Sequence, residues 1–365
     1  MDLFDQQAEE INGLRVRQAR ELKGLTQVAL ADLLGVNQAM IAQIEAGTKQ
    51  PSSELFADLA TELELPQRFF RRTNPSDFPN GTLLFRSKLG VGKKRIAQLR
   101  AHASVTFEFV LQLSREATLV PVRLPVGREP ENAARNVREL MGMADGPIFN
   151  LTRAVEKLGV LVLPLPDVED CDAFAVWAGP GLQYPVIGVV GNRVVDRTRM
   201  SLAHELGHLV LHRQVSSVKQ EFEREAYCFA AELLMPTDAA TADLRAEKLT
   251  LFRLAALKRK WGLSMQAIAR RAKEMDVINE RQYRYLMQQF SAKGWRLNEP
   301  NFGPPLNPEK PRAIRKLAEV VFGEPLNVKK IAYDAALSDG FIRDVIDRCE
   351  GHPAHRQTPL SLKEK

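Results

Sequence analysis

Residues 202–212 read LAHELGHLVLH and contain the pattern H-E-x-x-H. On an α-helix, side chains four positions apart lie one turn above each other, so His204 and His208 can hold one metal ion between them. Two neutral imidazoles suit zinc, and a hydrolytic zinc site needs one position left open for water. Glu205 is predicted to lie beside that position and to take the proton of the water as general base. The stretch therefore predicts a helix that carries a hydrolytic zinc centre.

The residues around the motif support a helix. Apolar residues recur at helical spacing, and Asp196 or Thr198 is predicted to cap the start of the helix. A surface helix with two unrelated histidines is the alternative, because the five-residue pattern also occurs by chance. The chain has 6 histidines, and two of them fall in this motif on an otherwise apolar helix. That placement favours the metal site.

The third protein ligand is predicted from the next helix. The extended pattern H-E-x-x-H-x-x-G-x-x-H fails, because Leu211 and Gln214 stand where its glycine and last histidine belong, and His212 is read as a helix-end residue. Residues 221–236 read EFEREAYCFAAELLMP, a strong helical pattern that ends at a proline. Glu223 shares a face with small alanines that would let two helices approach closely, so it ranks first as ligand, before Glu225 and Glu221. Solvated surface charge is the alternative for all three.

These two segments carry a family resemblance. The string HELGHLVLH followed by E-x-E-A-x-x-F-A-A-E-L-L-M-P resembles the ImmA/IrrE family of gluzincin-like zinc metallo-endopeptidases. The resemblance implies one zinc ion per chain, with His204, His208 and Glu223 as ligands and Glu205 as the general base. One position departs from the family: Tyr227 stands where an Asn or Asp usually follows Glu-Ala, which would change the support of a ligand.

Length and composition bound the remaining possibilities. The 365 residues suggest two or three domains, and the net charge of +6 permits nucleic-acid binding without proving it. There is no run of 18 apolar residues and no basic and apolar leader at the start, so neither a membrane span nor export is expected. The three widely spaced cysteines are expected to be reduced thiols. A cytoplasmic location is the prediction.

Residues 11–70 predict a series of short helices. The first spans Asn12–Leu22, the second Gln27–Leu34 with Thr26 as cap, and the third Asn37–Ala46; a fourth opens at Pro51 and Ser52 and a short fifth at Pro66. A helix, a tight turn at Gly35 and another helix form helix-turn-helix geometry, in which the second helix enters the major groove of DNA.

Residues 14–51, LRVRQARELKGLTQVALADLLGVNQAMIAQIEAGTKQP, are similar to the Xre family of lambda-repressor-like DNA-binding domains. The resemblance implies operator DNA as a partner and a homodimer that reads two half-sites. Gln38, Ala39 and Gln43 would face bases, and Asn37 would serve as helix cap or as contact. Phosphate contacts would come from Gln27, Arg17, Arg20, Lys23 and Lys49.

The net charge of the N-terminal residues argues against DNA binding. Residues 1–75 contain 8 cations and 11 acids, so a protein-interaction use of the helix-turn-helix fold stays open. The segment from Pro79 to Phe107 has no acid and could extend the phosphate contact through its cations, which include Arg86 and Lys88. Turn residues at 74–77 and 79–81 are typical of an interdomain linker.

The middle of the chain predicts a small sheet. Three β-branched, apolar runs, Val160–Pro164, Ala173–Ala178 and Val186–Val190, precede the H-E-x-x-H helix. Residues 175–177 could pair as an edge strand with an extended substrate, although packing alone would explain them equally well. Helical patterns return over 238–300, and the proline-rich start of 301–365 leads to helical patterns at Pro311–Phe322 and Val328–Arg348.

The predicted fold is mostly α with a small α+β part. It consists of a five-helix DNA-binding domain (1–73), a basic linker and helical connector (74–145), a zincin-like peptidase domain (146–300) and a C-terminal helical extension (301–365). The resemblances imply a DNA-binding regulator that cleaves a repressor- or antitoxin-like protein, or itself. One alternative is a transcription factor whose zinc domain is a non-catalytic sensor or scaffold. Another is that the N-terminal helix-turn-helix domain is an antitoxin-type dimerisation module. A peptidase also needs a residue that stabilises the tetrahedral oxyanion. Arg197, Arg199 and Tyr184 lie near the motif in the chain, but a structural role is favoured for each.

Overall fold

The computed structural model describes residues 10–82, 92–143, 145–167, 171–191, 194–213, 220–300 and 306–349. In these ranges the chain is mostly helical with a small sheet, as predicted. The helices are α1 Gly13–Leu22, α2 Gln27–Leu33, α3 Gln38–Glu45, α4 Ser53–Glu62, α5 Gln67–Phe70, α6 Lys93–Leu113, α7 Pro130–Leu140, α8 Leu151–Lys157, α9 Val195–Leu211, α10 Gln220–Leu234, α11 Thr237–Arg245, α12 Leu251–Trp261, α13 Met265–Glu274, α14 Glu280–Ala292, α15 Ala313–Phe322, α16 Val328–Ala335 and α17 Asp339–Asp347. The strands are β1 Leu161–Leu165, β2 Ala173–Ala178 and β3 Tyr184–Val190.

Helices α1 to α5 are bounded by local chemistry. The side chains of Asn12, Thr26, Asn37 and Ser52 each accept a hydrogen bond from a backbone N–H of the helix that follows. Gly35 has φ +64° in the turn between α2 and α3, a conformation that glycine adopts without a steric penalty. The helices close over a shared apolar core that includes Val16, Leu30, Ile41, Leu59 and Phe69.

A buried carboxylate joins these helices to the rest of the chain. Glu108 of α6 is fully buried and accepts hydrogen bonds from Arg15 at 2.6 Å and from Arg72 at 2.8 Å. The backbone N–H of Ser76 also donates to Glu108, at 3.0 Å. The predicted linker is therefore fixed at this point, because it lies against a charge that cannot be exposed without breaking two ion pairs.

The described strands form one three-stranded sheet in the order β1-β3-β2. β1 runs parallel to β3, and β2 runs antiparallel to β3 with Ala175 opposite Ile187. Alternate residues face two cores. Phe174 and Val176 belong to the apolar cluster that includes residues of α6, while Ala175 and Trp177 belong to the cluster that includes residues of α9. The order leaves one side of β2 without a strand partner in the described part of the chain.

The C-terminal helices share the core of α6 rather than standing apart. Ile314, Ala318, Ile331, Ile342 and Val345 are buried in the same apolar cluster as the α1–α5 core. The prediction of a continuous helix over Val328–Arg348 was wrong. Ala336 adopts a left-handed conformation at φ +49°, which ends α16, and Ser338 caps α17.

None of the described helices combines the length and the apolar character that a membrane crossing requires. Several predictions concern residues outside the described ranges, namely the cations Arg86 and Lys88, the position Gln214 and the end of the chain after 349.

Candidate metal centre and DNA-binding helices

The H-E-x-x-H motif lies in the second half of α9. The helix begins at Val195 after Val194, with no side-chain cap, so the predicted cap at Asp196 or Thr198 was wrong. Asp196 instead forms a buried ion pair with Lys258, and the Thr198 hydroxyl donates to the carbonyl of Val194 at 3.2 Å. Asp196 is the second residue of α9, and its other carboxylate oxygen accepts from the N–H of Arg197 at 2.8 Å, so it lies inside the first turn and not at the cap position.

Three predicted ligands converge at one point. His204 Nε2 and His208 Nε2 lie 3.2 Å apart. Glu223 of α10 brings one carboxylate oxygen to 3.2 Å from His208 Nε2 and the other to 3.4 Å from His204 Nε2. Two ligands about 2.0–2.1 Å from a tetrahedral zinc ion lie about 3.3 Å from each other. The donor set and its spacing therefore fit zinc.

The close approach of α9 and α10 carries Glu223 to the histidines. Gly207 faces α10, and a β-carbon on it would lie 3.0 Å from Phe229 Cδ1 and 3.2 Å from Ala226 Cα. Ala226 and Ala230 are fully buried at the same contact. The predicted role of the small alanines is thus shared by a glycine of the motif, since a larger residue at 207 would push the two backbones apart.

The helix-turn-helix pair presents a polar outer face. Asn37, Gln38, Ala39 and Gln43 are exposed on or beside α3, while Ile41 and Ile44 are buried beneath them. The predicted DNA-contacting residues therefore lie on the outer side of the second helix of the pair, the side that meets base edges in helix-turn-helix proteins.

Two family models match this chain. Residues 16–66 match the helix-turn-helix family, and residues 155–273 match the peptidase M78 family, described as the IrrE N-terminal-like domain. The chain fuses a helix-turn-helix domain to an IrrE-like domain. No curated protein matched the chain. The helix-turn-helix domain implies DNA binding, and the IrrE-like domain belongs to a group of metallopeptidase type.

The helix-turn-helix domain places its predicted phosphate contacts unequally. Lys49 is exposed, and Arg17 is exposed but pairs with Glu21 at 2.9 Å. Lys23 is half-buried and pairs with Glu64 at 2.6 Å. Gln27 donates to Glu45 at 2.9 Å and accepts from Gln38 at 2.8 Å, so two predicted contacts hold each other.

Arg20 is no longer available for phosphate. It is buried and forms a two-point ion pair with Glu45, with bonds of 2.5 and 3.0 Å. Its expected role was wrong, because pairing with a buried carboxylate within the core takes precedence over solvent exposure.

The carboxylates of Glu223 and Glu205 have surroundings that suit a metal centre. Burial disfavours the charged form of Glu223, but hydrogen bonds with His204 and His208 outweigh it, and the pKa of Glu223 lies far below its usual range. A carboxylate that stays ionised is the form that binds a cation. Glu205 is buried at 3% exposure, and its carboxylate accepts a 2.8 Å hydrogen bond from the Thr82 hydroxyl.

A second layer supports His208. His212, at the end of α9 as predicted, brings its Nδ1 to 3.0 Å from His208 Nδ1, and its Nε2 lies 2.7 Å from Glu225. Burial lowers the pKa of His212, and the hydrogen bond to Glu225 only partly opposes that shift. Glu225, the second-ranked ligand, therefore contacts the layer behind the site, while Glu221 is exposed.

Other residues considered from the sequence lie in structural contacts. The Arg270 guanidinium stacks on the Tyr227 ring, with its Cζ 3.7 Å from the ring centroid, and burial raises the pKa of Tyr227. Arg197 pairs with Asp172 at 2.7 Å. Arg199 forms a buried ion pair with Glu309, and the ring of Tyr184 packs against that of Phe107 at 5.6 Å. These contacts agree with the structural role favoured for Arg197, Arg199 and Tyr184.

Sequence reasoning missed Thr82 and Gly207. Thr82 lies 123 positions before Glu205 in the chain, and its only local signal is the turn sequence Asn-Gly before it. Gly207 could have been found, because a glycine within an apolar helix weakens that helix unless close packing requires it.

Proposed function

We propose that this protein is a DNA-binding transcriptional regulator whose IrrE-like domain is a zinc-dependent endopeptidase. Its substrate is a repressor- or antitoxin-like protein, or its own chain. The observation that carries the proposal is the set of three donor atoms on His204, His208 and Glu223, spaced 3.2–3.4 Å apart, with the buried carboxylate of Glu205 on the adjacent position of the same helix.

In this proposal each residue has a defined task. His204, His208 and Glu223 hold one zinc ion, which when bound supplies Lewis-acid polarisation of a carbonyl and acidifies a water molecule. Glu205 accepts a proton from the attacking water and later donates it to the leaving amine. Its burial favours this task, because a carboxylate removed from bulk water interacts more strongly with the reacting atoms. In this proposal an extended peptide backbone pairs with the outer edge of β2, where Thr82 contacts the backbone groups of Ala175.

The test compares Glu205→Gln with the natural protein. The variant keeps the volume of the side chain and removes the base, so we expect unchanged zinc content by elemental analysis. Cleavage of a candidate repressor should fall about 10²–10⁴-fold, the range that general acid–base catalysis supplies. Equal cleavage by both forms would reject the proposal. Glu221→Gln is the matched control, because that acid is exposed on α10.

A further variant, compared with the same control, identifies the third ligand. Glu223→Gln should lose zinc under conditions in which Glu221→Gln retains it. Loss of zinc from Glu221→Gln alone would reassign the site to the exposed acid.

A non-catalytic zinc sensor is the second candidate, and Tyr227 favours it. Its ring is held under Arg270, at the position where the resembled family has an amide or a carboxylate. A sensor would bind zinc without cleaving any repressor offered to it, and removal of zinc would change DNA affinity in a footprinting experiment.

For the helix-turn-helix domain we propose base contacts from Gln38, Ala39 and Gln43 and phosphate contacts from Lys49 and Arg17. Asn37 accepts from the N–H of Met40 at 2.8 Å, which supports its role as cap. Gln43→Ala should weaken binding to one operator more than binding to unrelated DNA. Lys49→Ala should weaken both equally and make affinity less sensitive to salt. No footprint at any concentration would favour the protein-interaction alternative.

A further inference from the structure

The residues before position 83 run along the free side of strand β2. The Thr82 backbone N–H donates to the carbonyl of Ala175 at 2.9 Å, and the Ala175 N–H donates to the Thr82 hydroxyl oxygen at 2.8 Å. Ala175 therefore directs both of its backbone groups away from β3 and onto Thr82. This two-point contact uses the groups through which an edge strand pairs with an added extended chain.

The same residue contacts the proposed general base. The Thr82 hydroxyl donates to Glu205 at 2.8 Å while its oxygen accepts from Ala175. A water molecule would donate to the carboxylate in the same way, so Thr82 occupies one oxygen of the proposed general base, Glu205 Oε2.

The backbone before Thr82 fits the strand only because residue 81 is glycine. Gly81 has φ +53°, and a β-carbon built on it would lie 2.1 Å from the carbonyl oxygen of Ala175. That atom belongs to the backbone of the sheet and cannot rotate away. Any other residue at 81 would therefore lift the segment off β2.

The residues at the start of this segment, 76–78, are held in place as well. The N–H of Gly179, just past the end of β2, donates to the carbonyl of Asp77 at 2.7 Å. Phe78 is buried at 6% exposure, with its ring 5.7 Å from that of Phe107. Together with the bond from Ser76 to Glu108, these contacts anchor the segment between the α1–α5 helices and the sheet.

We propose that residues 76–82 are a built-in occupant of the peptidase cleft. The segment occupies both backbone groups of Ala175 that an extended substrate would use, and its hydroxyl occupies one oxygen of the general base, so a peptide must displace it before cleavage begins. This proposal rests on the proposed peptidase function for its consequence. The occupancy itself is testable on metal-free protein, without any cleavage.

The first experiment measures competition for the cleft. A fluorescein-labelled peptide of residues 76–82 is titrated with metal-free protein, and its anisotropy is recorded. A tethered segment competes at millimolar effective concentration, so we expect Gly81→Ala to bind the peptide at least about tenfold more tightly than the natural protein does. Gly142→Ala is the matched control, because Gly142 also has positive φ, +69°, yet no atom lies within 4 Å of its added β-carbon.

The second experiment measures hydrogen exchange at the Ala175 amide, again on metal-free protein. Thr82→Val removes the hydroxyl and keeps the shape of the side chain, so exchange at Ala175 should be at least about tenfold faster in this variant and in Gly81→Ala, but not in Gly142→Ala. Equal peptide binding by all forms, or unchanged exchange at Ala175, would overturn the proposal. Since neither measurement needs zinc, an inactive peptidase would leave both results readable.

Discussion

The Nδ1 atoms of His208 and His212 lie 3.0 Å apart. His208 points its other ring nitrogen at His204 and Glu223, so Nδ1 must carry the hydrogen if Nε2 is to bind a metal. His212 then accepts at Nδ1 and donates from Nε2 to Glu225, 2.7 Å away. His212 and Glu225 therefore fix the tautomer and ring orientation of His208 without belonging to the group of three donors.

We therefore expect His212→Phe to lower zinc affinity about 10–100-fold, the usual effect of removing an outer hydrogen-bond partner from a metal ligand. Phenylalanine keeps the packing against Phe222, whose ring centroid is 4.5 Å from that of His212. Affinity is measured by competition with a chromophoric chelator, with Glu221→Gln as control. Equal affinities would show that the His208 ring is held by packing alone.

Helix approach gives a second prediction. Gly207→Ala should separate α9 from α10, because its new methyl group would lie 3.0–3.2 Å from Phe229 and Ala226. Overpacking of this kind lowers the free energy of unfolding by about 1–3 kcal/mol, and the shift of Glu223 should also weaken zinc binding. Urea unfolding and the chelator assay measure the two effects. Gly340→Ala in α17 is the matched helical control, since its β-carbon meets nothing within 4 Å and should leave stability equal or higher.

The Glu108 carboxylate gives a third prediction. Burial lowers the pKa of Arg72 to about 10 even though Glu108 opposes the shift, and Arg15 is 1% exposed beside it. Glu108→Gln leaves both cations buried without their counter-charge. We expect the free energy of unfolding to fall by about 3–5 kcal/mol. Urea titration measures it, with Glu62→Gln as the control at an exposed glutamate of α4. A change equal to that of the control would mean that water reaches the cluster.

Acid sensitivity gives a fourth prediction, located at His102 of α6. Burial lowers the pKa of His102, and the Asp344 carboxylate, 3.8 Å from its Nε2, only partly opposes the shift, while Arg348 adds to it. A depressed pKa contributes stability above the unfolded value of about 6.5 that is lost as pH falls toward the folded value. Between pH 7.5 and 5.5 the natural protein should lose up to about 1.4 kcal/mol more than His102→Phe. Unfolding curves at the two pH values check this, and identical losses would contradict it.

The C-terminal helices include a boundary that the hydrophobic pattern of the sequence did not predict. Residues 328–348 have an uninterrupted helical pattern, yet the structure breaks it at Ala336, whose left-handed conformation has no glycine signal. The break lets α16 and α17 each turn a buried face to the common core through Ile331, Ala332, Ile342 and Val345. The Ser338 cap was a local signal for the start of α17, whereas the left-handed conformation of Ala336 reflects burial against distant helices and not the propensity of alanine.

The sequence alone determined the two halves of this protein. The helical spacing of His204 and His208, and the caps and turns at Thr26, Gly35 and Asn37, are local features with a fixed geometric meaning, so they predicted a helix with a metal site and a helix-turn-helix pair. The resemblance of the segments around them to known families added the IrrE-like and Xre-like domains. Tertiary structure decided the rest. Only folding brings Thr82 to Glu205, Glu225 to His212 and Glu108 to Arg15. Contacts between residues far apart in the chain depend on how whole elements pack, and the sequence near either partner carries no trace of the other.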